Sequence, residues 1–291
     1  MILTYINKEE KEINLILKND LQISSRLLLK LINKKSIFVN DKNINTKNIA
    51  KVNDIIKIDF NYEEDNSNIV PTKMNLNIVY EDDWLLIIDK PAGIPIHPSQ
   101  LHYTDSLSNG IKYYFDTIKL KKKIRPVNRL DLNTSGLVVF AKNEYIQECL
   151  IKQMASTFKK TYLAITQGQF QHINISQIIN APISRKSGSI IERCINANGQ
   201  TSITHYKVLE NFIDYSLVEC TLETGRTHQI RVHMSSIGHP LIGDTLYGKK
   251  SNLINRQALH CNQLSFLHPI TKKHLEIHSN LPNDMQILIK K

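Results

Sequence analysis

No two cysteines in this sequence are spaced to share a metal or a local disulfide: Cys149, Cys194, Cys220 and Cys261 are scattered, with no CxxC pair. They read as reduced, buried thiols, which excludes a disulfide-framed secreted domain. Long hydrophobic runs are also missing, and no stretch approaches the roughly 18 apolar residues of a membrane-spanning helix. The opening MILTYINKEEKEINL is charged too early and too often for a secretory signal, so a cytoplasmic chain away from membranes is expected. Internal repeats and low-complexity tracts are absent. Acidic residues are the scarcer charge, 27 Asp and Glu against 37 Lys and Arg, which leaves the 291-residue chain at +10. A polyanionic partner follows from that balance, nucleic acid ahead of a membrane surface.

What is present divides into a small and a large part. Residues 1–60 carry eleven Lys and Arg against seven Asp and Glu. Leu21 to Lys35 has apolar residues at Leu27, Leu28, Leu31 and Ile32, a helical stripe that Ser24 or Ser25 would cap. Arg26, Lys30, Lys34 and Lys35 occupy its other surfaces and are candidate phosphate contacts. A strand at Ile37–Val39, a turn at Asn40-Asp41 and a strand at Ile55–Phe60 follow. Residues 61–75 are polar, acidic and aperiodic, which reads as a linker.

The larger part, 76–291, shows strands and helices that do not alternate regularly. A mixed α+β fold with a largely antiparallel sheet and flanking helices is therefore expected. Its richest stretch is Arg125 to Asn143, RPVNRLDLNTSGLVVFAKN. Here a polar turn carrying Arg129 and Asp131 runs into the apolar strand Leu137–Phe140, and a carboxylate at the mouth of a rigid strand is held as catalysis requires. Six Lys and Arg with one Asp between Lys112 and Arg125 form a possible backbone-binding rim. KKTYLAIT places Tyr162 mid-strand. In TGRTHQIRVHMSSIGHPLIGDTLYG, Thr227 is the expected cap of a helix whose His228 and Arg231 share a flank. His228 and His233, five apart, face away from each other, which argues against a zinc pair.

Taken together, VYEDDWLLIIDKPAGIPIHPS, NRLDLNTSGLVVFAKN, KKTYLAITQG, GRTHQIRVHMSSIGHPLIGDTLYG and ALHCNQLSFLHP are similar, in order and spacing, to pseudouridine synthases of the RluA/RluD type. The segment SSRLLLKLINKKSIFVNDKNI with VNDIIKI resembles the RNA-binding module of the ribosomal protein S-four type, with Asn53 where Gly is common. The resemblance implies a bacterial RNA-modifying isomerase that needs no metal or cofactor. Asp131 would be the catalytic aspartate, Tyr162 the ring against a flipped-out base, and Arg231 the basic partner of the aspartate. Ribosomal RNA is the favoured substrate and transfer RNA the alternative, with the enzyme acting as a monomer. One departure is Asn128, where the family motif commonly has His. Two other readings stay open: a non-catalytic RNA-binding assembly factor, and a retaining glycosidase with a second carboxylate such as Asp244.

Overall fold

The computed structural model describes residues 1–290. The N-terminal unit is an antiparallel sheet of β1 (Ile2–Ile6), β2 (Ile37–Val39), β3 (Lys42–Asn43) and β4 (Ile55–Asp59), ordered β1-β4-β2-β3, with helix α1 (Ser25–Asn33). The Ser24 hydroxyl caps α1 by accepting the Leu27 amide at 3.2 Å. Leu27, Leu28 and Leu31 face inward while Ile32 stays at the surface. Asn40, Asp41 and Asn53 all take positive φ, the left-handed backbone that tight turns demand and that short polar side chains tolerate.

The second sheet has nine strands: β5 (Ile78–Glu81), β6 (Leu85–Lys90), β7 (Ser135–Ala141), β8 (Lys159–Gln167), β9 (Ser176–Asn180), β12 (Ile203–Asn211), β13 (Tyr215–Leu222), β14 (Leu259–Leu267) and β15 (His274–His278). Their order is β9-β12-β13-β8-β14-β7-β6-β5, with β15 added to β14. A separate short hairpin, β10 (Ile183–Arg185) with β11 (Arg193–Ile195), leaves this sheet between β9 and β12. Four helices flank it: α2 (Leu107–Thr117), α3 (Glu144–Gln153), α4 (Gln229–Ser236) and α5 (Asn283–Ile289). The fold is mixed α+β with a largely antiparallel sheet, as expected.

The one parallel pairing of the large sheet matters most for function. β7 enters beside β14 through Ser135–His260 and Gly136–Cys261. Gly136 has φ +114°, and a Cβ there would lie 2.3 Å from the Cys261 carbonyl oxygen, so only glycine permits the close approach. All seven residues of β7 are buried. Leu137, Val139 and Ala141 join the core shared with the N-terminal unit, while Val138 and Phe140 pack with Leu107, Ile111 and Phe115 of α2. The strand that carries the Asp131 turn is thus clamped from both faces.

The two parts of the chain are docked on each other. Phe60 stacks on Tyr145 at 5.6 Å and meets the edge of Trp84 at 6.1 Å. Residues 61–75 have no helix or strand, yet they strap the two parts together rather than tether them loosely. Glu64, its side chain 2% exposed, takes both Arg125 terminal nitrogens at 2.7 Å and the Lys30 ammonium at 2.7 Å. Glu144 contacts the same two cations. The Lys122 ammonium is buried under the carbonyls of Phe60 and Tyr62. These contacts correct two expectations drawn from charge alone. Lys30 is not a free cation: it is half-buried against the larger part of the chain and paired with the buried Glu64 and the partly exposed Glu144. Much of the basic run 112–125 is likewise committed, Lys112 to Asp116, Lys122 and Arg125 to the strap, while Lys119, Lys121 and Lys123 remain exposed, Lys121 paired with Glu63.

Candidate active site

Asp131 sits in the turn between two lengths of backbone. Before it, Arg125 to Asn128 run beside β7: the Val127 amide donates to the Val139 carbonyl and the Ala141 amide to the Arg125 carbonyl, both at 2.8 Å. Asn128 continues this ladder with its side chain, donating to the Leu137 carbonyl at 3.0 Å and accepting the Val139 amide at 2.8 Å. A side-chain amide offers the same donor and acceptor as a peptide group. The residue at this position therefore shapes the loop and does not titrate. After Asp131, the Thr134 amide closes the turn on the Asp131 carbonyl at 3.1 Å. From the other side, Lys90 donates to the carbonyls of Pro91, Ile94 and Leu132 at 2.8, 2.9 and 3.0 Å, joining the KPAG bend to the turn.

Arg231 reaches Asp131 from α4, with Nη1 donating to Oδ2 at 3.1 Å. Its other edge is held by Asp244, through Nε to Oδ2 at 2.7 Å and Nη2 to Oδ1 at 2.9 Å. Asp244 is fully buried and also accepts the amides of Leu246 and Tyr247. Burial works against the guanidinium charge, but Asp244 and then Asp131 more than offset it and hold the Arg231 pKa above its usual value. A bidentate carboxylate fixes the plane of a guanidinium, and here it leaves one nitrogen to aim at Asp131. With its oxygens engaged by Arg231 and two amides, Asp244 serves as the anchor of Arg231 and not as a second reacting carboxylate.

The aspartate opens into a cavity of about 310 Å³ lined among others by Arg129, Lys160, Tyr162, His228 and Arg231. Tyr162 is 5% exposed, and burial, with the neighbouring Cys261 and Asp131, pushes its phenol well above the ordinary tyrosine range. Arg129 is exposed and lines both this cavity and an adjoining one of about 440 Å³ that includes His97. Thus Asp131, Tyr162, Arg231 and Arg129, drawn from the turn, β8 and α4, meet at one place. Arg26, Lys34 and Lys35 lie elsewhere, exposed on the N-terminal unit.

Three features of the site were not anticipated. Thr227 does not cap α4; His228 holds the cap position in left-handed backbone, φ 59° and ψ 20°. Lys160, two residues before Tyr162 on β8, is buried enough that its pKa is lowered, and Gly225 leaves room for its ammonium. The i, i+2 spacing that puts it on the Tyr162 side of the strand was the available signal. Tyr247 was the third, and nothing local in LYG marked it.

The site is thus a partly exposed carboxylate held by a buried guanidinium, facing a cavity with an aromatic wall. Residues 84–236 match the family described as RNA pseudouridylate synthase, and the chain belongs to that family. It is accordingly an isomerase of RNA uridine. An uncharacterized RNA pseudouridine synthase of Bacillus subtilis (strain 168), YhcT, is 40% identical over 94% of this chain and 91% of that protein. The ribosomal large subunit pseudouridine synthase D of Zymomonas mobilis is 39% identical over 76% of this chain and 74% of its own. Among solved structures, human RNA pseudouridylate synthase domain containing 1 superimposes with a TM-score of 0.59 at 28% identity, over 71% of this chain and 83% of that one.

Proposed function

We propose that the chain converts specific uridines of large-subunit ribosomal RNA to pseudouridine, with Asp131 as the catalytic carboxylate. The observation that carries this reading is the Asp131–Arg231 contact, braced by Asp244 and opening on the cavity beside Tyr162. The reaction detaches uracil from C1′, turns it and rejoins it through C5. An oriented carboxylate, which the bound RNA would shield further from water, suits that task. The target atom is hidden in stacked RNA, so the uridine is flipped into the cavity, where the Tyr162 ring provides a stacking surface worth about 1 to 3 kcal/mol. Arg129, exposed at the rim of both cavities, holds a phosphate or fills the vacated stack.

In this reading residues 1–60 are an RNA-binding module of the ribosomal protein S-four type, 61–75 the connecting strap and 76–291 the catalytic domain. Arg26, Lys34 and Lys35 form its RNA face; the Lys30 ammonium is committed to Glu64 and Glu144. The enzyme works as a cytoplasmic monomer in a bacterium. Among the described residues no helix is long and apolar enough to cross a membrane. Relatives named as ribosomal large subunit enzymes favour ribosomal RNA over transfer RNA. Mapping pseudouridine in cells with and without the gene tests the target: a position lost from large-subunit ribosomal RNA supports it, and losses confined to transfer RNA reject it.

A further inference from the structure

His228 is placed with more care than a helix cap needs. Its backbone is left-handed, a conformation few side chains other than Asn, Asp and His adopt readily. Its Nδ1 lies 2.8 Å from the Tyr247 hydroxyl, and the same hydroxyl accepts the backbone amide of Arg193 in β11 at 2.8 Å. Tyr247 is itself held: its amide donates to Asp244, its carbonyl accepts the Ser235 hydroxyl, and its ring lies 5.1 Å from the Arg231 guanidinium carbon.

These contacts decide where the imidazole proton sits. The phenol oxygen already accepts from Arg193, and among the described residues the Nδ1 of His228 is the one acceptor its hydrogen has. With the hydroxyl as donor to Nδ1, the direction that leaves each group a partner within the protein, the proton of the neutral ring is placed on Nε2. That nitrogen points toward Asp131 but stops 3.9 Å from Oδ2, too far for a hydrogen bond. His228 lines both cavities that flank Asp131. The result is a nearly buried N–H beside the candidate catalytic carboxylate with, among the described residues, no protein acceptor within hydrogen-bond distance.

We propose that His228 presents this Nε2–H to a carbonyl oxygen of the flipped uracil, with Tyr247 as the positioning residue that sets its tautomer. The inference rests on Asp131 being the catalytic carboxylate. When the N1–C1′ bond breaks and its electron pair stays with the base, negative charge spreads onto the uracil oxygens, and a preoriented donor stabilises it. No proton is transferred by His228; the hydrogen bond strengthens as the charge develops. The neutral ring is favoured because burial lowers the pKa. Arg231 and Arg193 lower it further, while Asp131 and Asp244 act the other way. Tyr247, the remaining titratable neighbour, stays protonated because burial raises its pKa.

The test is single-turnover conversion of RNA carrying tritium at C5 of uridine, alongside RNA affinity and thermal midpoint, for His228→Ala, His228→Gln and Tyr247→Phe. The proposal expects His228→Ala to slow turnover on the order of 100-fold with affinity little changed, and His228→Gln, which keeps an N–H, to recover much of that loss. In Tyr247→Phe the neutral ring is free to place its proton on either nitrogen, so turnover slows at neutral pH. Below the imidazole pKa both nitrogens carry hydrogen, and the defect shrinks. A purely structural tyrosine gives a defect that does not depend on pH. Turnover by His228→Ala close to that of the parent, or a pH-independent Tyr247→Phe defect, overturns the proposal. Asp131→Ala, assayed beside them, reports the underlying reading on its own: an inactive Asp131→Ala with a fast His228→Ala rejects the histidine alone.

Discussion

Arg231 Nη1 meets Asp131 Oδ2 at 3.1 Å across 100 residues of sequence, and it does so with the guanidinium already anchored on its other edge. The catalytic part of the fold is arranged to make that contact reproducible: β7 is clamped on both faces, its parallel entry beside β14 needs Gly136, and α4 delivers the arginine.

Asp244 is the first place to disturb this. Asp244→Asn removes the charge that holds the buried guanidinium, and breaking a buried pair in this way costs about 3 kcal/mol or more. Urea denaturation reads that loss. Turnover is expected to fall by at least about tenfold even where the variant is fully folded, because a 1 Å error in a reacting group has that scale of effect. A variant folded and fully active would show that Arg231 needs no anchor.

Asn128→Ala tests the scaffold role of the residue that departs from the family motif. It leaves the Leu137 carbonyl and Val139 amide buried without partners, at a cost of about 1 to 3 kcal/mol. The activity–pH profile should keep its shape while stability drops. A shifted profile would mean that the position tunes the chemistry.

Glu64 links stability to pH. Burial alone would raise its carboxyl, but Arg125 and Lys30 bring it from 4.5 to about 2. A carboxyl depressed in the folded state adds stability that is fully present above its unfolded pKa and is lost as pH falls toward the folded value. Glu64→Gln should therefore lower stability at pH 7 and flatten the acid limb between pH 4.5 and about 2, measured by denaturant titration across pH. An unchanged acid limb would place the acid sensitivity elsewhere.

Because Phe60 is packed on Tyr145 and Trp84, removal of residues 1–60 should expose that surface and lower the thermal midpoint of the remainder, a fully buried Phe alone being worth about 2 kcal/mol. A remainder that melts like the whole chain would show two independent units.

Most local signals were legible in the sequence, the cap of α4 excepted, where His228 and not Thr227 holds the position. Ser24, one of the two serines offered as a cap, caps its helix, Asn53 takes the left-handed turn, and the apolar run after Gly136 is a strand buried on both faces. Asp131, Tyr162 and Arg231 were singled out in order, and the fold brings them to one cavity. What escaped depends on partners distant in sequence. Lys30 and Arg125 looked like free cations because nothing nearby reveals Glu64, whose own stretch is aperiodic and acidic like any linker. His228 looked like a helix-flank residue because its left-handed backbone and its bond to Tyr247 exist only once the segment around Asp244 folds back on α4.

The most direct measurement of the central claim is tritium release from C5-labelled uridine in RNA by the parent and by Asp131→Ala, whose carboxylate is partly exposed and whose loss should leave the fold intact. The account predicts release by the parent and none by the variant. Release by Asp131→Ala at the parent's rate, or free uracil as the parent's product, would contradict it.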